Sequence, residues 1–359
     1  MISAILALST HAYSSSDFRR WGLETIDEMS KDLLLPGANL FAEEARPGVK
    51  PSAPAFTWSV GVLIQALNSA ADSDATYRPI LARTIEATRS YWNPEGPVAG
   101  YDVLPMPKPK DRYYDDNEWM VLALVESSKI LKSSKILDYA KDTFRYVMSG
   151  HDSALGGGIY WRESDKASKN ACSNGPAAAA ALALYDVTHD ETYLKIAEDI
   201  YGWTKTHLRD PIDGLYWDNI ALNGKIQTMK WSYNTALMLR SAAELYRATQ
   251  KKEYAEDARE MQKSSLKKWV GADGSLQDDG KFMHLLLENW IRAYQVVPEA
   301  DDPRHAIGTG LALLHDRMRD SLGHYGNRWD KAPANGPYSP FKLIDQASVA
   351  RAFLEAAAL

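Results

Sequence analysis

Cysteine is almost absent. Cys172 is the only one in 359 residues, so no internal disulfide can brace the fold. Histidine is sparse as well. The eight present show no His-x-x-x-His or comparable spacing, so no zinc site is indicated and no metal is expected. Glycine forms no phosphate cradle, because Gly156-Gly157-Gly158 lacks the strand-to-helix context of a P-loop or a dinucleotide-binding turn. No cofactor is therefore expected. No apolar run approaches the length of a transmembrane segment. Neither sign of charge dominates: 47 acids against 41 bases leave a net −6, interspersed along the chain. That argues against nucleic acid or an anionic membrane as partner.

What remains is the composition of a soluble globular protein with a sizeable core, 45% hydrophobic and 25% charged. Eleven Trp and nineteen Tyr are many for this length, and their concentration near loops favours a carbohydrate-type cleft. Residues 1–14 open with a short apolar run, Met-Ile-Ser-Ala-Ile-Leu-Ala-Leu, and end in small residues near Ala12-Tyr13-Ser14. They read either as the remnant of an export signal without its basic start or as an extension of the first helix. A secreted or periplasmic location is the expectation, with a cytoplasmic one as the alternative. Residues 15–359 read as a single catalytic domain, expected to act as a monomer.

Hydrophobic periodicity predicts about twelve helices and few strands. The helices are expected over 16–34, 57–71, 76–91, from 117 onward, 134–148, 174–187, 191–208, 232–250, 253–268, 281–297, 304–320 and from 342 to the end. They form an internal repeat: a helix, a loop of the form Asp-x-x-Gly-[Leu/Ile]-Tyr-Trp, then a more apolar helix. The second helices begin near 57, 117, 174, 232, 281 and 342, roughly 50–60 residues apart. Helices apolar on most faces belong inside a bundle. Six such hairpins predict an all-α fold, an (α/α)6 barrel with its substrate cleft at the mouth where the inner helices start. An open solenoid of the same hairpins is the alternative.

One stretch stands out at that mouth: Tyr113-Tyr114-Asp115-Asp116-Asn117-Glu118-Trp119, a loop turning into a helix. Neighbouring α-carbons lie about 3.8 Å apart, so two adjacent Asp side chains can bring their carboxyls to about 5–5.5 Å, the separation a retaining glycosidase needs. Like charges that close split their pKa values, leaving one group ionised and one protonated. The bland alternative is an ordinary N-cap with acids in the first turn. Aromatic neighbours tilt the reading toward a sugar site, with Asp115 and Asp116 as the acids and Tyr114, Asn117 and Trp119 against the substrate. Tyr160 and Trp161, Asn174 within Asn170-Ala-Cys-Ser-Asn174, and Trp231, Tyr233 and Asn234 are further candidate contacts. Each Asn and Ser there equally suits a helix cap. Asp279, in a second acidic pair with Asp278, either touches substrate or caps the tenth helix. His284 either faces the cavity or sits in the core.

Taken together, the Asp115-Asp116-Asn117-Glu-Trp119 stretch, Gly157-Gly-Ile-Tyr160-Trp161, Lys169-Asn-Ala-Cys172-Ser-Asn174-Gly-Pro, and Tyr233-Asn234 ahead of Leu245-Tyr-Arg-Ala-Thr resemble glycoside hydrolase family 76. The resemblance covers about residues 15–355 and is densest from 113 to 250. It implies an (α/α)6 barrel and hydrolysis of α-1,6-linked mannan, endo-acting, retaining and metal-independent. Mannan or a manno-oligosaccharide would be the substrate partner. It implies Asp115 as nucleophile and Asp116 as the acid that protonates the departing oxygen and later activates water. The rivals are another (α/α)6 sugar enzyme and a non-catalytic glycan-binding protein. Among the enzymes, an unsaturated glucuronyl hydrolase would want a basic pocket. A sugar epimerase would want two facing histidines, where this chain offers only His284.

Overall fold

The computed structural model describes residues 13–108, 110–333 and 336–359. Residues 1–12, and with them most of the expected export-like segment, lie outside the described residues. The chain from Ser14 onward enters a helix through a capping box: the Ser14 hydroxyl accepts from the Asp17 amide, and the Asp17 carboxylate accepts from that of Ser14.

Twelve α-helices follow among the described residues. They are α1 (Ser15–Leu33), α2 (Thr57–Ser73), α3 (Arg78–Thr88), α4 (Tyr114–Ile130), α5 (Ser134–Met148), α6 (Ala171–Thr188), α7 (Glu191–Leu208), α8 (Ser232–Thr249), α9 (Lys252–Trp269), α10 (Gly280–Val296), α11 (Arg304–Leu313) and α12 (Leu343–Ala356). The even-numbered helices are buried on nearly every face, and the odd-numbered ones bury a single stripe. Each even helix packs on the next, α2 on α4, α4 on α6, α6 on α8, α8 on α10 and α10 on α12, and α12 packs back on α2. That last contact closes the ring. The fold is an (α/α)6 barrel, not an open solenoid.

Helix α4 begins at Tyr114, three residues before Asn117, and three further boundaries depart from the periodicity for physical reasons. Helix α6 begins at Ala171, with Asn170 as its cap residue, because the strand Ser168–Asn170 delivers the chain straight into the first turn. The predicted third helix is an α-helix only over its centre, with tight 3-10 turns at Ala75–Tyr77 and Arg89–Tyr91. Beyond α11 the chain widens into a π-helical turn, Leu314–Met318, where the His315 ring stacks on Trp21 at 3.7 Å.

Short ladders tie the hairpins together at the mouth. Glu44–Ala45 pairs antiparallel with Phe341–Lys342, joining the first loop to the last helix. Ser168–Asn170, Asn219–Ala221 and Ile226–Gln227 form a three-stranded rim. In four of the six inner helices the fourth residue latches the unit. In α4, Asn117 takes a hydrogen bond from the Tyr101 amide (2.7 Å) and donates to the Tyr101 carbonyl (3.0 Å). In α6, Asn174 does the same to Ile159 (2.7 and 2.9 Å), and in α12 Gln346 does so to Tyr325 (3.0 and 2.7 Å). In α8 the Thr235 hydroxyl takes the Tyr216 amide at 3.2 Å. A carboxamide suits this post because it offers an acceptor and a donor to one peptide unit at once.

Candidate active site

The residues one and two places before these latches decide the character of the mouth. The second residues of four inner helices, Trp58, Asp115, Cys172 and Tyr233, all line one cavity of about 560 Å³. Asp116 and Phe282, third in α4 and α10, join them. Phe56, Val103, Tyr113, Trp119, Trp161, Ser168, Asn170, Asp218, Asn219 and Trp231 complete the wall. Rings make up much of it. Phe282 stacks on Tyr233 at 4.3 Å and on Trp58 at 5.9 Å, with Trp231 tilted against it at 5.4 Å. Tyr113 and Trp161 meet edge to face at 5.0 Å. Flat apolar faces beside carboxylates suit a sugar, whose C–H faces stack while its hydroxyls are hydrogen-bonded.

Trp161 reaches the acid pair because the loop before α6 is pinned. Lys169, wholly buried, donates to the Asp152 carboxylate (2.7 Å) and to the carbonyls of Ala154 (2.8 Å) and Gly157 (2.6 Å). Gly158 turns the chain at φ +82°, where a Cβ would meet the Trp203 ring at 2.7 Å. The Trp161 carbonyl then accepts from the Tyr114 amide at 3.0 Å, and its indole N–H donates to Asp115 Oδ2 at 3.0 Å.

The two aspartates are adjacent but unequal. Burial pushes the Asp115 carboxyl up to about 6, while the Trp161 indole, the Cys172 thiol and the Asp116 amide at 3.0 Å stabilise its charged form. Among the described residues no donor reaches the Asp116 carboxyl. Burial, then the charge of Asp115, then those of Asp111 and Glu43 hold it well above the usual carboxylate range. One turn below, Glu118 is fully buried with neither oxygen hydrogen-bonded among the described residues, and burial beside the two aspartates holds it well up too. The arrangement is therefore a site with one carboxylate ready to ionise and one kept protonated.

Of the residues singled out from sequence, Asp115, Asp116, Trp119, Trp161, Trp231 and Tyr233 come together on the cavity wall. Six do not, and each is engaged elsewhere. Tyr114 is buried in a stack with Tyr146 at 5.1 Å. Asn117 and Asn174 are the buried latches described above. Tyr160 is buried with its hydroxyl on Asp152 at 2.9 Å, and Asn234 is buried with its amide directed to Asp218 at 3.4 Å. Asp279 occupies the cap position of α10 without a capping hydrogen bond, its carboxylate 3.7 Å from Lys281 and 3.9 Å from Arg328. Its neighbour Asp278 takes the structural bond, from the Ser232 amide at 2.8 Å. His284 is buried off the cavity wall, and burial lowers its pKa to about 4, so the ring is neutral. Sequence reading missed Trp58, Cys172, Phe282 and Asp218. The signal for the first three was the repeat itself, since aligning the inner helices on their first turns puts Trp58 and Cys172 at the position of Asp115 and Phe282 at that of Asp116.

The family model of glycosyl hydrolase family 76 matches residues 39–355. The chain belongs to glycosyl hydrolase family 76. Over 95% of both chains this family 76 protein is similar to a GH76 alpha-mannanase of Bacteroides thetaiotaomicron, at 28% identity and a TM-score of 0.86. It is also similar to the alpha-1,6-mannanase GH76A of Salegentibacter sp. HEL1_6, at 23% identity and a TM-score of 0.82, over 95% of this chain and 99% of that one. That structure is an inactive variant with two adjacent aspartates replaced by asparagine, in complex with alpha-1,6-mannotriose. Among named relatives, mannan endo-1,6-alpha-mannosidase DCW1 of Candida glabrata is 33% identical over 105 residues, 26% of this chain and 23% of that protein. A Schizosaccharomyces pombe protein provisionally named mannan endo-1,6-alpha-mannosidase is 24% identical over 211 residues, 54% of this chain and 46% of that protein. The chain thus covers less than half the length of either named relative.

Proposed function

We propose that this family 76 protein hydrolyses α-1,6-mannosidic bonds within mannan chains, with retention at the anomeric carbon. The reading rests above all on the unequal aspartate pair inside an aromatic cavity. Asp115, with its indole, thiol and amide donors, is the group that ionises first and serves as nucleophile. It attacks the anomeric carbon as the glycosidic C–O bond breaks, forming a glycosyl ester on its own carboxyl oxygen. Asp116, which burial and the charge of Asp115 hold well above the usual carboxylate range, gives its proton to the departing oxygen. In the second half it takes a proton from water as that water attacks the same carbon and releases Asp115. The Trp58–Phe282–Tyr233 wall and Trp161 offer stacking faces for the sugar rings. The Salegentibacter relative, inactive without two adjacent aspartates and holding α-1,6-mannotriose, supports the choice of pair and linkage.

The test is product analysis on unbranched α-1,6-mannan with wild type, Asp115→Asn and Asp116→Asn. Short manno-oligosaccharides from wild type alone are the expected result, with the α-anomer seen first by proton NMR. Intact mannan after incubation with folded wild type would sink the proposal. Release of mannose alone would sink endo action, and a first-formed β-anomer would sink retention.

A further inference from the structure

A second cavity, of about 410 Å³, lies toward the other ends of the inner helices. Five cations line this cavity, and two of them, Lys129 and Arg247, stand in the last turns of α4 and α8, where the negative end of the peptide dipoles favours a cation. Four are matched to carboxylates. Lys129 pairs with Asp186 at 2.6 Å, and Arg247 with Glu244 at 2.7 Å and Asp186 at 2.9 Å. Arg292 pairs with Glu244 at 2.7 Å, and Arg351 with Glu126 at 2.9 Å and Glu288 at 3.3 Å.

Arg240 is the exception. Among the described residues its guanidinium makes no hydrogen bond. The nearest carboxylate is Glu288 at 3.7 Å, and Arg351 at 3.3 Å and Arg292 at 3.5 Å already draw on it. Among the described residues the Nε–H groups of Arg240, Arg292 and Arg351 are all buried without a partner. Arg351 is itself nearly inaccessible, with 4% of its side chain exposed. A buried donor without an acceptor is costly, and the guanidinium of Arg240, which lines the cavity, is the one left without an acceptor there. The planar fork of an arginine matches two oxygens of one anion.

We propose that this cavity binds a small oxyanion, of phosphate, sulfate or carboxylate type, held in the fork of Arg240 with Arg292 and Arg351 alongside. The site is remote from the acid pair and stands independently of the mannanase reading. Burial and the nearby Arg292 destabilise the charged form of Arg240, a deficit that an anion would relieve.

The test is thermal unfolding and calorimetric titration of the full chain with inorganic phosphate, sulfate and succinate, each against chloride at matched ionic strength. The three arms separate tetrahedral anions from carboxylates. Wild type should show a saturable rise in melting temperature of about 2–5 °C with at least one of them. Arg240→Gln should lose that rise while its circular dichroism, and its hydrolysis of mannan where wild type shows any, stay unchanged. Should Arg240→Gln not fold, Arg240→Lys keeps the charge without the fork and should bind about tenfold more weakly or less tightly still. No saturable response to any of the three anions, or an equal response in the variant that folds, would overturn the proposal.

Discussion

The two ends of the barrel bury the same kind of group with opposite results. At the mouth, Asp115, Asp116 and Glu118 sit among aromatic rings and beside one another, and all three are held above the usual carboxylate range. At the far end, Glu244 and Glu288 are buried too, yet arginines hold both below it. Desolvation raises the pKa in every case; the neighbours decide the net sign. Where rings replace counter-ions, acids keep protons that chemistry can use. Where guanidiniums surround them, they become fixed charges that hold helices together. The barrel thus separates acids that hold their protons from structural charge along one axis.

That contrast can be broken at either end. The largest effect belongs to the mouth: Asp115→Asn or Asp116→Asn should each lower the rate on mannan by about 10³-fold or more, with the melting curve retained. A variant within tenfold of wild type would remove that residue from the mechanism. At the far end the effect should fall on stability. Glu288→Gln leaves Arg240, Arg292 and Arg351 short of compensating charge, and should cost about 3–5 kcal/mol in urea unfolding, with the rate per folded molecule unchanged. A loss below about 1 kcal/mol would mean the network is not what holds that end.

Two smaller changes sharpen the comparison. Trp161→Phe removes the indole donor from Asp115. Wild-type activity should fall as pH drops through about 6, where Asp115 takes up a proton. In Trp161→Phe that acid limb should move upward by about one pH unit, a roughly tenfold loss below it. An unmoved limb would mean that the indole does not set the ionisation of Asp115. Glu118 tests burial without a partner. Its folded pKa is raised, so the stability it contributes is complete below the unfolded pKa and is lost as pH rises through the folded one. Glu118→Gln should therefore melt with wild type near pH 4 and about 2–4 °C higher at pH 8. The reverse order at pH 8 would show a partnered, ionised Glu118.

The sequence by itself determined the local elements and their recurrence. Helices α5 and α7 run over the predicted residues to both ends, because serine and aspartate caps and 3.6-residue periodicity act within a few residues of chain. The repeat length and the acid pair in a first turn were legible for the same reason. What the first-turn residues do was not. Asn117 and Asn174 resemble site residues in sequence, yet they are latches, because their partners Tyr101 and Ile159 lie in loops folded back on the helix. Trp161 lies 46 residues from Asp115, and only the pinned loop brings its indole there. The Trp58–Phe282 stack joins first and fifth hairpins, which meet across the mouth only because α12 closes the ring on α2. Helix formation is a property of neighbours in the chain. A cavity is a property of neighbours in space, so tertiary structure alone decided which side chains share it.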